Sequence, residues 1–124
     1  MNTSPPAAHY RSVFTPGLLT GQVIMVTGGG SGIGRCTAHE LASLGAHVVL
    51  VGRNPDKLTA TAQEITGDGG QATWHSCDIR REGDVQAMVA QVVQQHGRIH
   101  GLVNNAGGQY ISPLAKTSAK GWQA

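Results

Sequence analysis

Apolar residues along this chain form two kinds of pattern that alternate. Short continuous apolar runs are typical of strands buried on both faces of a parallel sheet. The runs are QVIMVT (22–27), AHVVLVG (46–52) and HGLVN (100–104), with a weaker run, QATWHSCDI (71–79), before the last of these. They predict four strands, of which the strand in 71–79 is the least apolar.

Between the runs, apolar residues recur every three or four positions, which is the spacing of one helix face. This spacing predicts a first helix over about 32–44, with Gly45 as its stop. A second helix begins with Asn54 as the N-cap and Pro55 in the first turn, and GDGG (67–70) ends it. A third helix closes at Gly97 and has the clearest stripe, which consists of Val85, Met88, Val89, Val92 and Val93.

The succession β-α-β-α-β-α-β predicts an α/β fold. We expect a Rossmann-like, doubly wound parallel sheet with helices on both faces, because parallel strands are joined by right-handed crossovers. The expected strand order is 3-2-1-4, which leaves the fourth strand as an open edge. About four strands would be only the first half of the six-stranded sheet of this fold.

Composition narrows the class of protein. The chain has 124 residues, 40% of them hydrophobic and 13% charged, which is typical of one globular domain. The net charge is +2 and no basic run is longer than Arg80-Arg81, so neither a nucleic acid nor a membrane surface is expected as a partner. No apolar stretch approaches the ~18 residues of a membrane span. Cys36 and Cys77 form no CxxC pair, and we expect two reduced, half-buried thiols in a cytoplasmic protein.

The loop TGGGSGIG (27–34) follows the first predicted strand, where an open parallel sheet binds ligands. Its glycines at 28, 32 and 34 permit a tight turn, close approach of a pyrophosphate and close helix packing, and the next helix directs free N–H groups at phosphate. The pattern GxGxxG would need glycine at Ile33, and a P-loop would need Lys at Arg35. The alternative is a flexible turn without a ligand. The candidate phosphate-binding residues are Thr27, Gly28, Gly30, Ser31, Gly32, Ile33 and Gly34.

The ends of the second and third strands suggest which nucleotide is bound. An NAD site would place a carboxylate after the second strand, but Arg53 stands there, and a guanidinium suits a 2′-phosphate. We therefore expect NADP(H) rather than NAD(H), the alternative being a surface arginine that pairs with Asp56. Asp78 could accept a hydrogen bond from the adenine amino group while Ile79 lines the ring pocket, or Asp78 could be only a turn or cap residue.

The fourth strand is followed by NNAGG (104–108). Asn104 and Asn105 can tie neighbouring loops together, and Ala106-Gly107 lets a ribose lie against bare backbone. The candidate cofactor-binding residues here are Asn104, Ala106 and Gly107, the alternative being an ordinary turn. No metal site is expected, because HELAS (39–43) lacks the second His of a zinc pair and the six histidines share no metal spacing.

Together these stretches resemble the short-chain dehydrogenase/reductase family over about residues 20–108. The family loop TGxxxGxG is matched by Thr27, Gly28, Gly32 and Gly34, its adenine-pocket Asp by Asp78, and its NNAG motif by 104–107. The resemblance implies an oxidoreductase that uses a nicotinamide nucleotide and acts on a small-molecule substrate. Arg53 is similar to the arginine of NADP-preferring members.

The stretch GGQYISPLAKTSAKGWQA (107–124) refines the resemblance. It is similar to the corresponding part of trans-2-enoyl-CoA reductases and 2,4-dienoyl-CoA reductases, which implies reduction of an enoyl-CoA. Related terpenoid-alcohol dehydrogenases share this style, so oxidation of an alcohol such as an acyclic terpenol is the alternative.

The family's catalytic Tyr-x-x-x-Lys pair is absent from these residues. Tyr10 and Tyr110 are followed four positions later by Phe14 and Leu114, so no catalytic residue is assigned. We expect 21–124 to be the N-terminal dinucleotide-binding part of a single Rossmann domain, truncated at its C-terminus, from a reductase about twice as long that forms a homo-oligomer at full length. A truncated chain that binds nucleotide without catalysis is the alternative. Residues 1–20 are expected to be an extension that packs through Tyr10, Phe14 and Leu18.

Overall fold

The structure is a computed structural model that describes residues 11–108 and 111–123. Strands and helices alternate as the apolar pattern predicts. The strands are β1 (Val23–Thr27), β2 (His47–Gly52), β3 (Gln71–Ser76) and β4 (Gly101–Val103). The helices are α1 (Gly32–Ser43), α2 (Pro55–Gly67), α3 (Glu82–His96) and the short α4 (Ala119–Trp122), with a 3-10 turn at Leu114–Lys116. The third strand ends at Ser76, so Asp78 lies in the following loop.

All four strands are parallel and the sheet has the order β3-β2-β1-β4, as predicted. Thr27 pairs with Val51 across β1 and β2, and Val26 pairs with Val103 across β1 and β4. The pairing of Gly52 with Ser76 aligns β2 with β3. This register brings the carboxyl ends of the four strands to one edge of the sheet, so the four predicted loops leave from the same edge.

Helices cover both faces of the sheet, and successive strand residues contribute to opposite faces. Ile24, Val26, Val48 and Leu50 form one apolar cluster with buried residues of α1 and α2. Val23, Met25, Val49 and Val51 form the second cluster with Met88 and Val92 of α3. The doubly wound arrangement is therefore confirmed for the described half of the sheet.

Helix α3 is less buried than its sequence stripe suggests. Met88 and Val92 are buried, Val85 and Val89 are partly buried, and Val93 is 42% exposed. Within the described part of the chain α3 is the one helix in the cluster on this face, and its stripe is partly exposed to solvent at Val93.

The segment before β1 packs through a different leucine from the one expected. Phe14 and Leu18 are more than half exposed, whereas Leu19 packs against the cluster under α1. The amide of Leu19 donates to the carbonyl oxygen of Leu44 at 2.9 Å, and this bond orients the turn so that Leu19 faces the core. The prediction for Phe14 and Leu18 is thus wrong, and Tyr10 lies outside the described residues.

The two cysteines are both free, but neither is half-buried. Cys36 is exposed on α1, while Cys77 follows β3 and is buried in the α3-side cluster. Their environments differ because α1 turns Cys36 away from the sheet, whereas the Cys77 amide still donates a hydrogen bond to the Gly52 carbonyl at the end of β2.

Candidate functional site

The glycine loop between β1 and α1 is a close-packed backbone turn. Gly28 and Gly32 have positive φ angles of 68° and 54°, a region that side chains rarely adopt. A Cβ on Gly34 would lie 2.1 Å from the carbonyl oxygen of Gly28, so the first turn of α1 rests directly on the loop. A Cβ on Gly28 would lie 2.8 Å from Nδ2 of Asn105. These contacts exclude side chains at 28 and 34.

Gly32 differs from its neighbours because its missing side chain leaves open space. No heavy atom lies within 4 Å of the position its Cβ would take. The positive φ angle explains why residue 32 is a glycine, but no neighbouring group fills the space beside it. A ligand could therefore approach the backbone at Gly32, as the sequence analysis predicts for a pyrophosphate.

Gly29 and Gly30 have packing reasons of their own. A Cβ on Gly29 would lie 2.7 Å from Cδ2 of Leu50, and one on Gly30 would lie 3.0 Å from Cβ of Lys57. Gly30, a candidate phosphate-binding residue, thus also lets α2 approach the loop. Gly29 was not among the candidates, although the unbroken GGG run is a signal that every position in it is sterically restricted.

The N-terminus of α1 is left without a side-chain cap. Ser31 is the N-cap residue, but its side chain makes no capping hydrogen bond, and the first turn has no acidic residue. At α2, by contrast, the Asn54 side chain accepts hydrogen bonds from the amides of Asp56 and Lys57. The uncapped amides of α1 and its positive dipole end suit an anion. Ile33 is 78% exposed beside them.

Thr27 joins the first loop to the fourth. Its buried hydroxyl oxygen accepts hydrogen bonds from the amides of Asn105 and Ala106, both at 3.0 Å, and the hydroxyl donates to the carbonyl of Val103 at 3.2 Å. The Asn105 side-chain amide in turn donates to the carbonyls of Thr27 and Gly28, at 3.1 and 3.4 Å. Asn105 therefore performs the loop-tying role expected of the Asn pair, although it was not chosen as a site residue.

Asn104, Ala106 and Gly107 form the rest of the fourth loop. Asn104 and Gly107 are exposed, and Ala106 is half-buried beside Gly28. Asn105 and Ala106 therefore lie next to the glycine loop, whereas a Cβ on Gly107 would enter open space.

Asp78 carries an ion pair with Arg80 that the sequence analysis did not foresee. The Arg80 guanidinium donates to both carboxylate oxygens, at 2.9 and 3.0 Å, and the Arg80 amide donates to Oδ1 at 3.0 Å. These bonds hold the pKa of Asp78 well below its ordinary value, and the charge of Arg53 lowers that pKa further. Asp78 is thus an Asx-turn residue whose ionised carboxylate remains at the sheet edge beside Ile79, which is 44% exposed.

Arg53 stands at the end of β2 with an exposed side chain. Among the described residues it makes no ion pair, so the expected alternative of a pair with Asp56 is not observed. Its backbone carbonyl accepts a hydrogen bond from the Ser76 hydroxyl at 3.5 Å, which ties it to the end of β3.

The candidate residues lie in the loops at the carboxyl edge of the sheet. A groove of about 400 Å³ runs along β3 and α2, and none of the candidate residues lines it. Over 11–108 and 111–123, no group of three or more His, Cys, Asp or Glu side chains could hold a metal ion. The longest described helix, α3, has 15 residues, and no helix in the described ranges could span a membrane.

Solved structures share this fold, and curated proteins are similar to the chain in sequence. The citronellol catabolism dehydrogenase of Pseudomonas aeruginosa PAO1 is 62% identical with a TM-score of 0.83, over 92% of this chain and 46% of that protein. A metagenomic short-chain oxidoreductase in complex with NADP is 43% identical with a TM-score of 0.78, over 85% and 48% of the two chains. The peroxisomal 2,4-dienoyl-CoA reductase of Mus musculus is 36% identical over 110 residues, 88% of this chain and 38% of the relative.

The chain therefore spans less than half the length of each of these three proteins. The family model described as short chain dehydrogenase matches residues 22–124, from the residue before β1 to the final residue. The matched residues include the glycine loop, the Asp78 turn and the NNAG loop, which all leave the sheet at its carboxyl edge. The chain thus belongs to the short-chain dehydrogenase family.

Proposed function

We propose that this chain is the nucleotide-binding part of an NADP(H)-dependent oxidoreductase whose hydride-transfer site is completed by sequence beyond Ala124. The observation that carries the proposal is the open backbone at Gly32 beside the uncapped first turn of α1. A pyrophosphate would lie against Gly28–Gly34, where amides and the helix dipole favour negative charge. When bound, the nicotinamide nucleotide supplies or accepts a hydride.

The other three loops have the chemistry for the rest of the nucleotide. Asp78 is ionised and could accept from the adenine amino group, with Ile79 against the ring. Arg53 is exposed and unpaired among the described side chains, so its guanidinium is available to a 2′-phosphate. The nicotinamide ribose would lie near the Asn104–Gly107 backbone. The metagenomic oxidoreductase, which is 43% identical to this chain, was solved in complex with NADP, and this similarity supports NADP(H) as the nucleotide.

A pair of glycine variants tests the pyrophosphate position. Gly32 and Gly97 both have positive φ and open space at Cβ, so alanine at either position should cost about 1–2 kcal/mol of stability. Only Gly32→Ala places a methyl group where the phosphates would lie. We expect a loss of NADPH affinity of at least tenfold for Gly32→Ala and unchanged affinity for Gly97→Ala, measured by fluorescence titration. Equal affinities in the two variants would contradict the proposal.

Arg53→Ala tests the choice between NADPH and NADH. A charged hydrogen bond to phosphate would be lost, so NADPH affinity should fall about tenfold or more while NADH affinity stays the same. Arg98→Ala removes another exposed arginine and serves as the control. Equal binding of the two nucleotides by the unaltered protein would argue against an NADP(H) enzyme.

Two substrate classes remain, and different observations favour them. Reduction of an enoyl-CoA is supported by the 107–124 stretch and by the 36% identity to a 2,4-dienoyl-CoA reductase. Oxidation of an alcohol is supported by the 62% identity to a dehydrogenase of citronellol catabolism, which is the stronger of the two similarities. Oxidation of NADPH with a 2-enoyl-CoA or a 2,4-dienoyl-CoA supports the first class, and reduction of NADP⁺ with citronellol supports the second. The assay uses the complete reading frame.

The reading frame itself tests whether the site is completed elsewhere. We expect a Tyr-x-x-x-Lys sequence downstream of Ala124, since the residues here contain none. In the alcohol class the Tyr would exchange a proton with the substrate oxygen, whereas in reduction of an enoyl-CoA the C=C bond is reduced and the role of the Tyr can differ. A stop codon after Ala124 would instead favour a chain that binds nucleotide without catalysis.

A further inference from the structure

The Arg80 side chain binds the carboxylate of Asp78, the residue proposed to contact the adenine. Nε of Arg80 lies 3.0 Å from Oδ1 of Asp78, and Nη2 lies 2.9 Å from Oδ2. This is the two-pronged geometry in which a guanidinium binds a carboxylate most firmly. The partners are two residues apart, and the Arg80 amide donates to the same carboxylate, so the turn itself brings them together.

Arg53 is the second cation beside that carboxylate. The Cys77 amide donates to the Gly52 carbonyl at 2.7 Å, and the Ser76 hydroxyl donates to the Arg53 carbonyl at 3.5 Å. These bonds fix the start of the Arg53 loop beside the loop that carries Asp78. The charge of Arg53 reaches Asp78 strongly enough to lower the pKa of its carboxyl group, yet the two side chains form no ion pair.

We propose that Arg80 is a positioning residue for cofactor selection, which holds the Asp78 carboxylate away from Arg53 and so leaves the Arg53 guanidinium to a 2′-phosphate. This inference rests on the proposed function. Without Arg80, the Asp78 carboxylate would be available to Arg53, whose charge already reaches it, and a 2′-phosphate would have to displace that carboxylate from the guanidinium. Any change in the adenine contact of Asp78 is shared by NADH and NADPH, whereas the competition with the 2′-phosphate concerns NADPH alone, so NADPH binding should weaken more than NADH binding.

The test compares Arg80→Ala with Arg81→Ala, which removes the neighbouring exposed arginine and the same charge. Dissociation constants for NADPH and NADH are measured on the purified protein by fluorescence titration. We expect Arg80→Ala to reduce the preference for NADPH about three- to tenfold, and Arg81→Ala to leave it unchanged. A purely structural loss would weaken both nucleotides equally. An unchanged preference in Arg80→Ala, or an equal change in the two variants, would overturn the inference.

Two further backgrounds separate positioning from direct contact. When Arg53→Ala or Asp78→Asn is already present, Arg80→Ala should have no further effect on the NADPH preference. The reason is that one partner of the competing ion pair, the Arg53 guanidinium or the Asp78 carboxylate, is already absent. An additive loss in the Arg53→Ala background would mean that Arg80 binds the 2′-phosphate itself, which overturns the positioning role. If the unaltered protein binds neither nucleotide, the proposed function fails and the inference with it; if it prefers NADPH and Arg80→Ala retains that preference, only the inference fails.

Discussion

The hydroxyl of Thr27 holds the first and fourth loops together, and its removal should be felt in both stability and binding. Thr27→Val keeps the shape of this buried side chain but deprives the half-buried Ala106 amide of its acceptor. We expect a loss of about 2 kcal/mol in the free energy of unfolding, measured with urea. NADPH affinity should fall as well, because the fourth loop loses its attachment to the glycine loop.

Thr37→Val is the matched control for Thr27→Val. The Thr37 hydroxyl donates to the Ile33 carbonyl at 2.8 Å within α1, in an exposed position. Its loss should change the stability by no more than about 0.5 kcal/mol. Equal destabilisation by the two substitutions would show that the Thr27 link is no more important than an ordinary helix-surface hydrogen bond.

His47 makes stability depend on pH. Its ring lies 4.3 Å from the ring of His96, and Nε2 is paired with the Thr73 hydroxyl at 3.2 Å. Burial, with the nearby His96 as a smaller cause, lowers the pKa of His47 below its ordinary value. The unfolded chain therefore takes up this proton more readily than the folded chain, so stability falls as the pH drops below about 6.5.

His47→Gln should reduce this pH dependence. Glutamine retains a polar group near Thr73 but cannot titrate. We expect the unaltered protein to lose more stability between pH 7 and pH 5 than the variant does, in urea unfolding followed by circular dichroism. Parallel pH profiles for the two proteins would show that His47 does not carry the effect.

The sequence identified the glycines that the backbone conformation of the first loop requires. Gly28, Gly32 and Gly34 were read from the loop motif, and two of them have the positive φ that only glycine adopts easily. Arg80 was not found, because its partner lies two positions away in an irregular loop, where neither helical nor strand periodicity predicts a contact. Asn105 was recognised as a link but its acceptors could not be named without the fold.

The two N-termini of α1 and α2 provide a comparison within one chain. The Asn54 side chain caps α2, whereas the Ser31 side chain caps nothing. Asn54→Ala should therefore cost about 1 kcal/mol of stability with unchanged NADPH affinity. Ser31→Ala should cost little stability, and NADPH affinity should fall if its hydroxyl serves the nucleotide. Thermal unfolding and fluorescence titration measure the two quantities, and a stability loss at Ser31 as large as at Asn54 would contradict the assignment.

The elements themselves were predictable where a local signal marks both the start and the end. Asn54-Pro55 begins α2, and Gly97, with a φ of 82°, ends α3 as predicted. The end of β3 was not predictable, because the CDI sequence continues the apolar pattern while the sheet pairing stops at Ser76. The exposure of Val93 could not be predicted either, because an apolar stripe does not indicate how much of the helix surface a neighbouring element covers.

The arrangement of the whole molecule followed from rules of handedness rather than from any single residue. Right-handed crossovers place strand two beside strand one, and the change of direction places strand four on the other side. The N-terminal segment was not predictable in the same way: the choice of Leu19 over Leu18 depends on the turn fixed by the Leu44 carbonyl. A long-range backbone bond of this kind leaves no trace in the apolar pattern.

The two faces of the sheet should open with different free energies. Helix α2 buries four residues, Leu58, Thr61, Ala62 and Ile65, and α1 packs on the same cluster. Helix α3 buries only Met88 and Val92. Since fewer buried side chains hold α3, we expect its amides to exchange with deuterium through a partial opening that leaves α1 and α2 folded.

Native-state hydrogen exchange as a function of urea measures these opening free energies. Amides in the middle of α3 should have a lower value than those in the middle of α2. Val92→Ala should lower the value for α3 by about 1–3 kcal/mol while changing α2 less, because the cavity lies on the α3 face. If α2 and α3 exchange with the same free energy, and Val92→Ala lowers both equally, then the described half of the sheet opens as one cooperative unit and its two faces are energetically equivalent.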